Sequence, residues 1–423
     1  MIAVGLIATA GLLLELGVAG TFSALTYAGR VAGSTFLVSS LLEFVAAAAT
    51  FDYWGKRRAR YSGAAVLIGV LISLAFSLAL LIVQVAGREY TKYVWFWATL
   101  LAWSSWALWK MSREQAWKGI PHPKGLAVGA SISALLAVGN LAYSEVYRPY
   151  MSTANISLEL SFGVPHLSPD KKIMYLPLHI HYSNRSAINV NFLGTAYWVY
   201  GSDSKFSDTP RVLKDWKRDV SDSGDRYDMS RYNTSVDTQL IGSGQFFVPG
   251  NEMGPGDTFT EDKIIEIPAN SKYEVISTSA QILFMRADRG TLDYLYPKSR
   301  TLSWDPNSPN LRHERDAPLW VADAGDEYLK FQAKIRHSSE VLNLTREPRN
   351  VTVWWVIPNL SNHPHNGIDN SPYMMATISA PNSEARELSH SDYDRLFDRY
   401  GVLYQESGTV RQPYAALLEL ARR

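Results

Sequence analysis

Two carboxylates, Glu15 and Glu43, stand inside otherwise apolar stretches of this 423-residue chain. An ionisable group in hydrocarbon is costly, so such a residue is protonated, bound to a cation or paired. No Lys, Arg or His lies within the apolar runs to pair with either one. The first two runs turn around Arg30, and in an antiparallel hairpin rising 1.5 Å per residue the two carboxylates differ in depth by about 3 Å. The chemistry open to them is proton or cation exchange. The plainer reading is two neutral acids that hydrogen-bond across helices or face a partner subunit.

A second candidate is His179 with His181, two residues apart on one face of an alternating segment, a spacing that can chelate a metal. Spacing names no third ligand. His363 and His365 sit in a polar loop that nothing in the pattern places nearby, so exposed strand histidines are the simpler reading. A third candidate is the polar stretch 201–245, which carries Trp216, Tyr227 and Tyr232 and reads as a recognition loop. Within it Asp219, Asp222, Asp225 and Asp228 recur every three residues near Gly224. Arg218, Arg226 and Arg231 interleave and the EF-hand pattern is not met, so a solvated mixed-charge loop is expected there. HExxH, GxSxG and the Walker phosphate loop are missing. No catalytic residue and no cofactor is expected, and the reading leans away from an enzyme.

The elements that must position these residues fall into two kinds. A membrane-spanning helix needs roughly 20 mostly apolar residues, and five such runs occur early: Ile2–Ala28, Val31–Phe51, Gly63–Ala86, Tyr93–Trp109 and Leu126–Tyr143. The loops 52–62 and 110–124 hold the Lys and Arg excess (Lys56, Arg57, Arg58, Arg60; Lys110, Arg113, Lys118, Lys124). The positive-inside rule therefore places the N-terminus in the cytoplasm and the C-terminal half outside. Trp103, Trp106 and Trp109 recur at helical spacing and suit a packing face or interfacial belt. Gly125 and Gly129 would permit close helix approach.

After Pro149 the period switches to two. Ile156, Leu158, Leu160 and Phe162 alternate with polar residues, as do Met174, Leu176, Leu178, Ile180 and Tyr182, and Ile188, Val190 and Phe192. Ser183–Ser186 between two of these runs reads as a hairpin connection. Further strands are expected at 196–200, 263–267, 273–285, 329–335, 351–357 and 374–378, with Val351–Ile357 a buried central strand, and helices at 391–400 and 413–423. Many short strands punctuated by Gly and Pro are similar in architecture to immunoglobulin-like sandwiches. Residues 296–318, with Pro297, Pro306, Pro309 and Pro318, read as a linker or a long crossing loop.

The expected molecule is thus a five-helix transmembrane domain (1–148), an extracytoplasmic β-sandwich (151–295), and a region of linker, further strands and C-terminal helices (296–423). There is no cysteine, which rules out a thiol nucleophile or Cys zinc site and points to a bacterial surface protein. Chance then accounts for the Asn-x-Ser/Thr triplets, Asn184 among them. A net charge of +1 argues against nucleic acid as a partner. The expected partners are the lipid bilayer and a protein in the membrane or envelope. The function expected first is ligand or partner binding by the ectodomain. The alternatives are a transporter or channel subunit using Glu15 and Glu43, and a cell-envelope enzyme acting on glycan or lipid.

Overall fold

The computed structural model describes residues 1–24, 27–55, 58, 61–86, 91–115, 153–206, 210, 212–222, 233–293, 299–305, 318, 326–337, 340–358, 371–380 and 390–423. The chain forms two compact units. One holds the N-terminal helices with the segments Ala287–Asp293 and Lys334–Arg349, and the other holds most of the strands.

The helical unit begins with α1 (Ile2–Ser23), α2 (Tyr27–Tyr53), α3 (Ser62–Ala86) and α4 (Tyr93–Arg113). The first three are long and apolar enough to cross a membrane. Helix α4 is 21 residues long, a length of about 31 Å, and owes its apolar surface largely to tryptophan. The fifth run, Leu126–Tyr143, lies outside the described residues, as do Gly125 and Gly129.

Helices α1 and α2 meet through glycine. A Cβ on Gly33 would lie 2.3 Å from the backbone nitrogen of Thr21, and one on Gly20 would lie 3.0 Å from the Gly33 Cα. Only a residue without a side chain allows helix backbones so close. Gly5 plays a related part, for a Cβ there would fall 2.0 Å from the Trp103 ring. Ends of the helices carry paired cations and rings: Arg113 lies 4.1 Å from the centre of Trp109, and Lys110 sits over both Trp54 and Trp106. Those side chains combine an apolar body with a polar tip, as residues at a bilayer surface do. The short helix α6 (Glu340–Thr345) belongs to this unit too, and its Val341 and Leu344 join the cluster of Leu13, Leu16, Phe36, Leu80, Trp97 and Leu100.

Among the described residues the strands form three antiparallel sheets. In the first, β3 (Ile173–Asn184) lies between β1 (Ile156–Phe162), with the two-residue β2 (His166–Leu167), on one side and β7 (Thr258–Pro268) on the other. In the second, β4 (Val190–Phe206) lies between β5 (Asn233–Gly244) and β8 (Val275–Arg286), and β6 (Glu252–Met253) also pairs with β4. The far side of β8 is covered by two strands from the end of the chain, β14 (Val402–Glu406) and β15 (Val410–Pro413).

The facing sides of these two sheets form one sandwich core. Met174, Leu176, Leu178, Ile180 and Tyr182 from β3 meet Val190, Phe192 and Val199 from β4 and Ile276, Ile282 and Phe284 from β8. Strict alternation along β3 buries every second side chain, because successive residues point to opposite faces. Each such aliphatic or aromatic side chain contributes on the order of 1.5–3 kcal/mol through burial. Tyr414 and Leu417 of the last helix, α8 (Tyr414–Arg422), close one part of the same core.

The third sheet runs β10 (Ser299–Leu302), β11 (Glu327–Arg336), β12 (Arg349–Ile357), β13 (Tyr373–Ser379), with β9 (Thr291–Leu292) also paired to β11. It packs on the outer side of the second sheet: the Trp355 indole and Met374 sulfur fill the space left by Gly194, and Trp198 Nε1 donates to the Pro372 carbonyl. Strand β12 is flanked on both sides and buried over most of its length, as its two apolar faces require. Helix α7 (His390–Tyr400) precedes β14.

Two connections differ from the sequence expectation. Residues Ser183–Ser186 are not a hairpin, because β3 and β4 belong to different sheets. The corner is tied by buried Asn184, whose Nδ2 donates to the carbonyls of Ile188, Met253 and Gly254 while its Oδ1 accepts from the Ser186 backbone. The triplet at Asn184 is therefore structural, its amide fully used inside. Residues 201–245 are not a long loop in their described part. Strand β4 runs on to Phe206, β5 starts at Asn233, and helix α5 (Leu213–Asp222) lies between them. The polar stretch hid this ribbon because its strands carry too few apolar residues to show alternation.

Candidate functional site

The candidate intramembrane residues separate. On α1 the residues Leu6, Thr9, Leu13, Leu16, Gly17 and Gly20 point inward, and Glu15 lies with Leu14 and Val18 on the exposed side. On α2, Glu43 is fully buried, sharing its face with Ser40, Ala46, Ala47 and Thr50. Equal depth in a hairpin does not make a pair, since each helix turns 100° per residue and these two carboxylates leave their helices in different directions.

What surrounds Glu43 instead is a chain of hydroxyls from two other helices. Ser73 Oγ on α3 donates to Glu43 Oε1 at 2.8 Å. Thr9 Oγ1 on α1 lies 3.0 Å from Ser73 Oγ and within 3.1 Å of the Gly5 and Leu6 carbonyls. The second carboxyl oxygen, Oε2, is buried and has no hydrogen-bond partner. Close by, Ser40 Oγ is committed to the Ala10 carbonyl at 2.8 Å. Thr9 and Ser73 were not singled out from sequence. The available signal was a hydroxyl in the middle of each neighbouring apolar run, a weak one, because Ser and Thr also bond their own helix carbonyls.

The histidine pair lies on the solvent face of the first sheet. His179 Nδ1 is 2.6 Å from Asp262 Oδ1, and His181 Nδ1 is 3.0 Å from Thr260 Oγ1. These are cross-strand contacts in register, His179 opposite Asp262 and His181 opposite Thr260. Both residues of the His179–Asp262 contact are well exposed, where such contacts contribute at most about 1 kcal/mol. A side chain at position 163 would crowd the other ring nitrogen, since a Cβ on Gly163 would lie 2.6 Å from His179 Nε2. Among the described residues no group of three or more His, Asp or Glu is arranged to hold a metal. His363 and His365 lie outside the described residues.

The recognition candidates are partly described. Trp216 lies on helix α5, whereas Tyr227 and Tyr232 lie outside the described residues. Beyond Ser202, β4 loses its partner β8 and pairs with β5 alone, from Asp203 opposite Asp237 to Phe206 opposite Asn233. Among the described residues this end of the pair is a two-stranded ribbon. The chain joining its strands exposes Val212 and Leu213, both more than 60% accessible.

The sandwich core holds one further polar group of note. Tyr182 is fully buried among Phe192, Phe246, Phe247 and Phe259, and its hydroxyl has no hydrogen-bond partner. Burial pushes its phenol well above the ordinary 10.0, and the Glu261 carboxylate adds to the effect.

No protein-family model matches the chain, and no curated protein matches it. Two solved structures show a distant likeness. One is the ApaA protein from Bordetella pertussis, at 9% identity and a TM-score of 0.18, covering 32% of this chain and 82% of that one. The other is Spo0M, a sporulation control protein from Bacillus subtilis, at 8% identity and a TM-score of 0.19, covering 58% of this chain and 95% of that one. So distant a likeness assigns neither a fold family nor a function.

Proposed function

We propose that this chain is a multi-pass membrane-anchored binding protein, with an immunoglobulin-like sandwich held outside the cytoplasm to capture a protein of the membrane or envelope. In this reading all five apolar runs cross the bilayer, and the basic loops 52–62 and 110–124 face the cytoplasm. The observation that carries the binding role is the β4–β5 ribbon. A two-stranded ribbon is marginal on its own in water, and exposed Val212 and Leu213 gain nothing from solvent. Both are accounted for if a partner covers them, since apolar residues on projecting loops are common contact elements.

The test is the pair of substitutions Val212→Glu and Leu213→Glu in the full chain, purified from native membranes with quantitative mass spectrometry of what accompanies it. The reading expects one or more envelope proteins to be lost from the variant while its yield and melting temperature stay unchanged. An identical set of companions would contradict it. A second reading, a subunit of a transporter or channel complex, is favoured by one observation, the half-satisfied carboxyl of Glu43 inside the bundle.

A further inference from the structure

We propose that Glu43 is a proton-binding site within the helix bundle, with Ser73 donating to its Oε1, Thr9 standing behind Ser73, and the proton carried on Oε2. The proposal rests on the membrane placement of the helices and is independent of what the ectodomain binds.

Depth comes first. Glu43 stands about 15 Å inward from the end of α2 at 1.5 Å per residue, half the thickness of a hydrocarbon core of about 30 Å. It is fully buried, so neither water nor lipid headgroups reach it directly. An ionised carboxylate here would need several donors. The structure gives it one on Oε1, from Ser73, and none on Oε2. A neutral acid fits that asymmetry, with the carbonyl oxygen accepting from Ser73 and the hydroxyl on the oxygen that lacks a donor. The remaining cost is one unmade hydrogen bond, far below that of an unpaired buried charge.

Among the described residues no neighbouring charge changes this balance. Helix α3 carries no ionisable side chain. Helix α1 carries only Glu15, which is exposed. On α2 itself, Arg30 lies about 20 Å away along the axis and Asp52 about 13 Å away. Arg30 donates to the Ala24 carbonyl and Asp52 accepts from the Arg58 backbone. A metal cation is disfavoured by the oxygens on hand, because calcium takes six to eight oxygen ligands. Beside the two carboxyl oxygens the described side chains offer the Ser73 and Thr9 hydroxyls, fewer oxygens than such a shell needs. The chemistry is therefore a simple loading step: one proton, given up by hydronium in the bulk solution, which becomes water, is bound by the carboxylate as an O–H bond on Oε2.

Infrared difference spectroscopy of the full-length protein in lipid nanodiscs tests this without needing any partner. The native protein should show the C=O stretch of a protonated carboxylic acid at neutral pH, reversibly lost as the pH is raised. Glu43→Gln, which keeps the shape of the side chain, should lack that band, and Glu15→Gln should keep it. Ser73→Ala should move the band to higher frequency, because the C=O loses its hydrogen-bond donor. Absence of a Glu43-dependent acid band at neutral pH would overturn the proposal. So would a band that persists at every pH, which marks a permanently neutral structural acid, or one removed by sodium chloride at constant pH, which marks a metal-cation site.

Discussion

The helical unit and the sandwich each bury a polar group that lacks a full set of partners, and they do so for different reasons. In the sandwich most buried polar atoms are satisfied by local backbone. Asn184 uses its whole amide at the inter-sheet corner, and Thr195 bonds the backbone of Phe246 and Phe247. Tyr182, one of those without a partner, leaves a neutral hydroxyl unpaired among aromatic rings, a modest cost that its ring repays through packing. In the bundle the unpartnered buried atoms include Gln84 Oε1 and the Trp97 and Trp103 indole nitrogens, and the ionisable group among them is the Glu43 carboxyl. Helices consume their own backbone groups, so Glu43 can draw only on side-chain hydroxyls, and two helices supply just the chain from Ser73 to Thr9. A tolerated phenol is a packing solution, whereas a half-bonded acid in the same degree of burial calls for chemistry.

Four substitutions sharpen the contrast, in order of expected effect. Phe192→Ala should lower the stability of the strand unit by about 4 kcal/mol, since it empties the centre of the sandwich core. Asn184→Ala should cost about 3 kcal/mol by leaving the Ile188, Met253 and Gly254 carbonyls unbonded. Both should shift the tertiary melting signal of the sandwich and leave the helical far-UV signal in place. Gly33→Leu should do the opposite, loosening the α1–α2 contact by about 2 kcal/mol, because the atoms in its way are backbone and cannot step aside. A helical signal as robust as the native one would refute the close approach read from Gly20 and Gly33.

The smallest effect belongs to Tyr182→Phe, which should be neutral or stabilise by up to about 1 kcal/mol by removing an unpaired buried hydroxyl. Its pH signature is more telling. A phenol whose folded value is raised contributes stability that is fully present below the unfolded value, near 10.0, and is lost as pH climbs through the folded one. Tyr197, Tyr200 and Tyr414 are raised by burial in the same direction. The sandwich should therefore weaken above about pH 10, and Tyr182→Phe should reduce the slope. An unchanged slope of stability against alkaline pH would show that this phenol is not buried in solution.

Much of the architecture was legible along the chain. The runs read as Ile2–Ala28, Val31–Phe51, Gly63–Ala86 and Tyr93–Trp109 correspond to α1 through α4 with shifts of a few residues at their ends. Period-two alternation located β1, β3 and β11. Strands β14 and β15 were missed because Val402–Glu406 and Val410–Pro413 are short and mostly polar, and their place is fixed by pairing with β8, a contact far away in sequence. The fate of Ser183–Ser186 also depended on sheet membership, which no local turn signal encodes. The site was half legible. Both carboxylates stand out in apolar surroundings, but a helix that is apolar on every side gives no cue to which face turns inward, so the burial of Glu43 and exposure of Glu15 needed the three-dimensional arrangement.

The central claim is that apolar helices hold this chain in a bilayer with its sandwich on the far side from the cytoplasm. The absence of cysteine makes single-cysteine labelling free of background. Asn270→Cys, in the exposed turn after β7, and Ser112→Cys, at the exposed end of α4, can each be treated in intact cells with a membrane-impermeant maleimide. The account predicts that position 270 reacts at once and position 112 only after lysis. Labelling of 112 in intact cells with protection of 270 would invert the topology, and equal labelling of both only after lysis would remove the external sandwich altogether.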